Sequence, residues 1–193
     1  MTCDITSDDD VKKLDIEMRS RNFDPDAVIL SAGIFDNDIN PDFDVGTSKR
    51  VFNTNLWGLL AVISLILPRF IKKTNGHVIA LSSISSFRPN EKGVAYPASK
   101  AALALMMRGL DAHYRKYNVA FTTVYLGPIA TRMWEGSAGF MAPHPETIAP
   151  KIEKLLITRP HVSYMPFFST FLSRILCVFP DSWYMKLSRI IKK

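Results

Sequence analysis

Along the chain, short and nearly continuous apolar runs alternate with longer stretches in which apolar residues recur at helical spacing. The runs at 26–31, 77–82 and 119–125, and a weaker one at 161–165, predict strands. Their near-continuous apolar character fits parallel strands covered on both faces. The stretches at 7–19, 48–73, 94–117 and 145–158 predict helices. The first has Ser7 as N-cap with Asp10 three residues on, and the last opens on Pro145, a residue suited to a first turn. The long second helix is expected to bend near Pro68. Strand alternating with helix predicts an α/β fold, a doubly wound parallel sheet. In such sheets ligands bind beyond the carboxyl ends of the strands. That directs attention to Ser31-Ala32-Gly33, to Ser82-Ser83 and to the stretch Tyr125-Leu126-Gly127-Pro128.

Composition narrows the class. The chain has 193 residues, 47% apolar and 22% charged, which suits a folded domain and excludes a disordered chain or a coiled-coil rod. Two cysteines, Cys3 and Cys177, exclude a disulfide framework and a cysteine-based zinc cluster. His77, His113, His144 and His161 lack the spacing of a metal-binding pair and are read as surface or hydrogen-bonded residues, so no metal site is expected. The start, MTCDITSDDD, is acidic and lacks the apolar core of a signal peptide. The apolar run at 56–67 is too short to span a bilayer and predicts a buried helix.

Charge is unevenly placed. The net charge of +6 arises entirely after residue 149, where eight Lys and Arg face only Glu153 and Asp181. Nucleic-acid binding expects a basic face on the folded domain. Here the cations alternate with Phe, Leu, Ile and Trp instead, so no nucleic-acid partner is expected. Phe167, Phe168, Phe171, Leu172, Ile175, Leu176 and Phe179 form a helical stripe. A second helix, capped by Asp181 or Ser182, would carry Trp183, Leu187, Ile190 and Ile191. Residues 166–193 are read first as a lid packed over the pocket, because apolar helical stripes pack against their own domain, and second as a basic amphipathic segment on an anionic membrane. The two are compatible, and a membrane-docked lid would suit a lipid-like substrate. The chain divides into a domain at 1–165 and this tail, with a cytoplasmic location, peripheral at a membrane if the tail docks there.

The residues that carry chemistry lie in Tyr96-Pro-Ala-Ser-Lys100. Tyr96 and Lys100 are four apart at the start of a helix and share a face. A phenol titrates near pH 10, and a neighbouring ammonium lowers that value toward neutrality. Such a pair can act as general acid and base on an alcohol or carbonyl. Ser83, thirteen residues earlier at a predicted strand end, can hydrogen-bond a substrate oxygen. Asn55, an amide inside an apolar helix, needs partners, whether as a satisfied core residue or as a holder of water.

Together these residues resemble the short-chain dehydrogenase/reductase family over almost the whole chain. The resemblance rests on Asp4-Ile5 after a strand end, Ala32-Gly33 after the next strand and Asn55 in Phe52-x-x-Asn-x-x-Gly58. It rests further on Ser83 ahead of Tyr96-x-x-x-Lys100, and on Gly127-Pro-Ile-Ala-Thr131. It implies hydride transfer between a nicotinamide cofactor, NAD or NADP, and an alcohol or ketone, of bulky apolar kind if the tail is a guide. By resemblance Tyr96 exchanges the proton, Lys100 lowers the tyrosine pKa and binds the ribose, Ser83 polarises the carbonyl, and Asn55 holds a water. Asp4 and Ile5 would contact the adenine. Ala32, Gly33 and Gly127 would let the backbone approach the cofactor. Ile129 and Thr131 would bind the carboxamide.

Leu30-Ser31 stands where the family has two asparagines, and Ser31 is expected to take over part of a strand-tying role. The family's opening strand, Gly-rich turn, helix and second strand have no counterpart before Asp4, and no glycine precedes Gly33. The fold is therefore expected to be N-terminally truncated. The segment at Thr2–Ile5 would lack a neighbour and the strand at 26–31 would be an exposed edge. The chain alone is therefore expected to be poorly stable or to fold only with a partner on that edge, with weak or absent cofactor binding and doubtful activity. Family resemblance also implies a homodimer or homotetramer through the two long helices. The alternative is a catalytically inactive relative kept as an interaction or membrane-associated protein.

Overall fold

The computed structural model describes residues 2–91, 93–131, 133 and 142–185. Among these residues four strands, β1 (Ala27–Leu30), β2 (Gly76–Ser83), β3 (Val119–Leu126) and β4 (Val162–Met165), form one parallel sheet in the order β1-β2-β3-β4. The register sets Leu30 beside Ala80, Ser83 beside Leu126 and Leu126 beside Met165. The carboxyl ends of β2, β3 and β4 are thus level, and the loops that follow them meet on one side.

Among the described residues, helices α1 (Asp8–Ser20), α2 (Val45–Phe52), α3 (Gly58–Lys72), α4 (Ala95–Tyr114), α5 (Pro145–Thr158) and α6 (Phe167–Leu176) connect and cover the sheet. Residues alternate along β2, so the sheet buries apolar groups on both faces. Val78 and Ala80 join Phe121, Leu59, Phe70, Leu103 and Met107 under α3 and α4. Ile79 joins Val124, Ile148, Leu155 and Met165 under α5. Helices on both faces of a parallel sheet are the doubly wound arrangement that the strand–helix alternation predicts. β1 pairs only with β2 among the described residues.

Ser7 caps α1 by accepting from the Asp10 N–H at 3.3 Å. Residues 2–4, read as a strand end, form no strand. Asp4 instead accepts from Thr6 N at 2.9 Å and from Thr6 Oγ1 at 2.8 Å, and its carbonyl accepts from Ser7 N. A side chain that bonds its own downstream backbone turns the chain rather than extending it. Ile5 does have a neighbour: it packs against Gly58, where an added Cβ would lie 2.8 Å from Ile5.

The long second helix begins at Val45, three residues earlier than its apolar pattern shows. Asp44 caps it, accepting from Gly46 N at 2.8 Å and Thr47 Oγ1 at 2.6 Å. Pro68 lies within α3, which continues to Lys72. The departure from α geometry comes at Asn53–Trp57, one turn of π-helix joining α2 to α3. Residues 45–72 are long and apolar enough to cross a membrane. However, Leu56, Leu59, Ile63, Ile66 and Phe70 are buried against the sheet, which makes this a core helix.

Candidate active site

The π-turn has a local effect with a long reach. A π-turn carries one extra residue, which changes the direction of the side chains it holds and is often found at functional sites. Here it carries Asn55, which is fully buried. The Asn55 Oδ1 accepts from Ile34 N at 2.7 Å, and Nδ2 donates to Ile34 O at 2.9 Å and to Ser99 Oγ at 3.2 Å. One amide therefore ties the loop after β1 to the helix that carries Tyr96 and Lys100. Both its N–H groups are engaged in that tie, so its side chain is a structural clamp more than a free holder of water.

Tyr96 and Lys100 lie in the first turns of α4, and both are buried. Tyr96 packs edge-on against Phe35, with centroids 5.3 Å apart. Burial pushes its phenol above 10, while a hydrogen bond with the Ser83 side chain pulls it down. The Lys100 ammonium donates to Leu81 O at 2.9 Å and lies 5.9 Å from the Tyr96 ring centroid. Burial lowers its pKa from 10.5 to about 8. The tyrosine is thus raised rather than lowered, because burial opposes charge on both members of the pair. Ser83, the last residue of β2, accepts from Ser85 N at 3.1 Å and Ser85 Oγ at 2.8 Å, which orients its hydroxyl.

These groups face a cavity of about 550 Å³, a size suited to small-molecule ligands. Ser83, Tyr96, Lys100, Gly33, Gly127, Ile129 and Thr131 all line it. Gly33 lies so close that an added Cβ would meet Lys100 Nζ at 3.1 Å and Asn55 Oδ1 at 3.3 Å. Gly127 is similarly pressed against Ser169 of α6, 2.5 Å from where a Cβ would stand. Ala32 is outside the lining, as are Asp4 and Ile5, the latter being committed to Gly58. Ser31 is exposed at the rim, and its side chain makes no hydrogen bond among the described residues, so it does not tie the strands.

Several lining residues were not apparent in the sequence. Ile148 and Ile152 of α5, Met133, and Ser173 and Leu176 of α6 complete the walls. The helical stripe at 167–179 was the only signal for the last two. Arg88 also lines the cavity. It ion-pairs Asp181, donates to Leu176 O and to Phe179 O, and stacks over the Tyr184 ring. A lone arginine in a Ser/Pro-rich loop carries no sequence signal for that role.

Asp38 is the other residue sequence reasoning missed. It is fully buried in the loop after β1 and accepts from Ser48 Oγ at 2.8 Å, Val94 N at 2.7 Å and Ala95 N at 3.0 Å. It caps α4 from a distance, immediately before Tyr96. Burial pushes its carboxyl up, but these hydrogen bonds outweigh it and hold the group below the ordinary 3.8. Asp38→Ala is expected to destabilise the fold by about 2–3 kcal/mol, the cost of losing a cap and stranding buried donors. Its deficit should shrink as pH falls below about 4, because the wild-type carboxylate loses its advantage on protonation. Urea melts at neutral and acid pH measure this. A deficit that does not change with pH would contradict the assignment.

Comparison with known proteins gives the family and the fold. The profile of the short chain dehydrogenase family matches residues 1–139. The chain belongs to that family. An uncharacterized oxidoreductase from Staphylococcus haemolyticus is 31% identical over 140 residues, which cover 72% of this chain and 61% of the relative. Another from Listeria monocytogenes is 30% identical over 135 residues, covering 68% and 54% respectively. The chain therefore spans little more than half the length of these curated relatives. Among solved structures, 4-hydroxyisoleucine dehydrogenase complexed with NADH aligns with a TM-score of 0.76 at 20% identity, covering 85% of this chain and 77% of that one. An actinorhodin polyketide ketoreductase with NADPH aligns with a TM-score of 0.76 at 17% identity, covering 86% and 75%. The last two establish the shared fold.

Proposed function

We propose that this chain carries the catalytic half of a NAD(P)-dependent oxidoreductase that acts on an alcohol or ketone. The observation that carries this reading is the convergence of Tyr96, Ser83 and Lys100 on one cavity at the strand carboxyl ends, with Asn55 clamping the loop after β1 to α4. NADH and NADPH in the two structural neighbours support a nicotinamide cofactor without choosing between them.

The residues fit the nicotinamide end of such a cofactor. The missing side chain at Gly33 lets its backbone come up against Lys100 and Asn55 at the cavity, which Gly127, Ile129 and Thr131 also line. When bound, the nicotinamide supplies or accepts a hydride at the substrate carbon. Tyr96 holds and moves the proton at the substrate oxygen. The Ser83 hydroxyl hydrogen-bonds that oxygen and fixes its direction. Lys100, pinned by Leu81 O, places a positive charge behind the tyrosine, where it stabilises phenolate as the proton leaves. The mainly apolar walls at Ile129, Ile148, Ile152 and Leu176 exclude water and favour a bulky apolar substrate. Exposed Trp57, Leu105 and Met106 on the two long helices support association of copies through that surface.

The test is absorbance of reduced nicotinamide when the purified chain is mixed with NADH or NADPH and a panel of ketones. Cofactor oxidation that needs both chain and ketone, and that keeps rising with cofactor concentration because the chain alone binds it weakly, is the expected result. A flat trace with both cofactors across the panel would leave the inactive, interaction-protein alternative as the better reading.

A further inference from the structure

We propose that the C-terminal segment docks on an anionic lipid bilayer, and that the cavity takes a membrane-resident apolar alcohol or ketone from it. The docking stands on its own observations, whereas the substrate class rests on the oxidoreductase reading above.

Helix α6 has two faces with different tasks. Its inner face is small and polar. Thr170 is fully buried and bonds Pro166 O at 2.7 Å and Phe167 O at 2.9 Å, Ser169 meets Gly127, and Ser173 and Leu176 line the cavity. Its outer face is Phe167, Phe168, Phe171, Leu172 and Ile175, all exposed, the first two at 74% and 70%. Beyond the helix, Val178, Phe179 and Trp183 are exposed as well. Eight large apolar side chains within 17 positions are more than scattered surface hydrophobics account for. Four of them are Phe and one is Trp, aromatic groups that suit the boundary between headgroups and acyl chains.

An apolar face alone would suit a protein partner or a second copy. Charge distinguishes the occupant. Residues 1–149 are balanced, and residues 166–193 hold five Lys and Arg against one acid. That acid, Asp181, is ion-paired to Arg88 and so offers little repulsion to an anionic surface. Of those cations Arg174 stacks over the Tyr164 ring, and Lys186, Arg189, Lys192 and Lys193 lie outside the described residues. A segment whose sequence joins this cationic excess to exposed aromatics matches a bilayer carrying acidic headgroups. The ten residues of α6 are too few to span a bilayer, so the helix lies in the interface plane. Arg88, bonded to Leu176 O, Phe179 O and Asp181, fixes the segment to the loop after β2, so it forms a plate attached to the cavity wall. The predicted positions Leu187, Ile190 and Ile191 of this segment lie outside the described residues.

The test is flotation of the full chain with vesicles of phosphatidylcholine alone, or with about a third phosphatidylserine, at low and high salt. Binding to the acidic vesicles, weakened by salt, is expected. Phe168→Ser combined with Phe171→Ser should weaken that binding at least about tenfold, while Ile16→Ser, an exposed apolar control on α1, should leave it unchanged. Thermal melts check that each variant folds. Failure to float with either vesicle at low salt would overturn the docking. So would a concentration-dependent dimer that the same double substitution dissolves while vesicles go unbound. Turnover of a water-soluble ketone is scored separately: its absence removes the oxidoreductase reading, whereas turnover without flotation removes only the docking.

Discussion

Replacing Tyr96 with phenylalanine is expected to lower the rate of hydride transfer by about 10²–10⁴-fold, the usual worth of a positioned acid–base group. The fold should hardly notice. The ring keeps its edge contact with Phe35 and its place beside Val51 and Ala95. Ser83 keeps both hydrogen bonds from Ser85. Only one hydroxyl is lost, so stability should change by no more than about 1 kcal/mol. Cofactor affinity, read by fluorescence titration of the reduced nicotinamide, should stay within about threefold, because the phenol acts on the substrate oxygen. A residual rate within tenfold of the parent would remove Tyr96 from the proton transfer. Lost affinity with preserved turnover would assign it to binding instead.

Lys100→Met is expected to make the protein more stable at neutral pH while removing its turnover. Below pH 8 the ammonium is charged in both folded and unfolded chains, so the folded state bears the full cost of burying it. Between about 8 and its ordinary 10.5 the group is neutral only when folded, and that cost is relieved as pH rises. A lysine held near 8 therefore costs the fold about 3 kcal/mol at pH 7. Methionine removes that cost but leaves Leu81 O without its donor, a loss of about 1–2 kcal/mol. The net gain should be about 1–2 kcal/mol in urea unfolding at pH 7. The parent should gain stability between pH 8 and 10, and the variant should show less of that rise. A variant less stable than the parent at pH 7, with the same pH slope, would mean that the lysine is held as a structural partner rather than strained for chemistry.

Much of the architecture was legible because strand and helix signals here are local. The apolar run at 119–125 and the periodic stretch at 145–158 reappear as β3 and α5 almost unchanged. Tyr96 and Lys100 were legible because four residues along a helix fix a shared face whatever the rest of the chain does. Residues 2–4, expected to be a strand end without a neighbouring strand, pair with no strand among the described residues, and Asp4 bonds Thr6 and turns the chain. The expected lowering of the tyrosine pKa was not met because burial is a property of the packed site. Sequence spacing gives the distance between a phenol and an ammonium, but not the amount of water that both lose.

The apolar periodicity of this chain determined a doubly wound sheet, and the spacing of its polar residues determined a Tyr/Lys pair near a strand-end serine. Only the tertiary structure decided the rest. It turned the Asn55 amide into a clamp between Ile34 and Ser99, 21 and 44 positions away. It also placed Asp38 under the start of α4, brought Arg88 onto residues 176–184, and turned five apolar side chains of α6 to the outside. Each of these depends on groups far apart in sequence, and their proximity follows from closure of the sheet and packing of its loops, which no local pattern encodes.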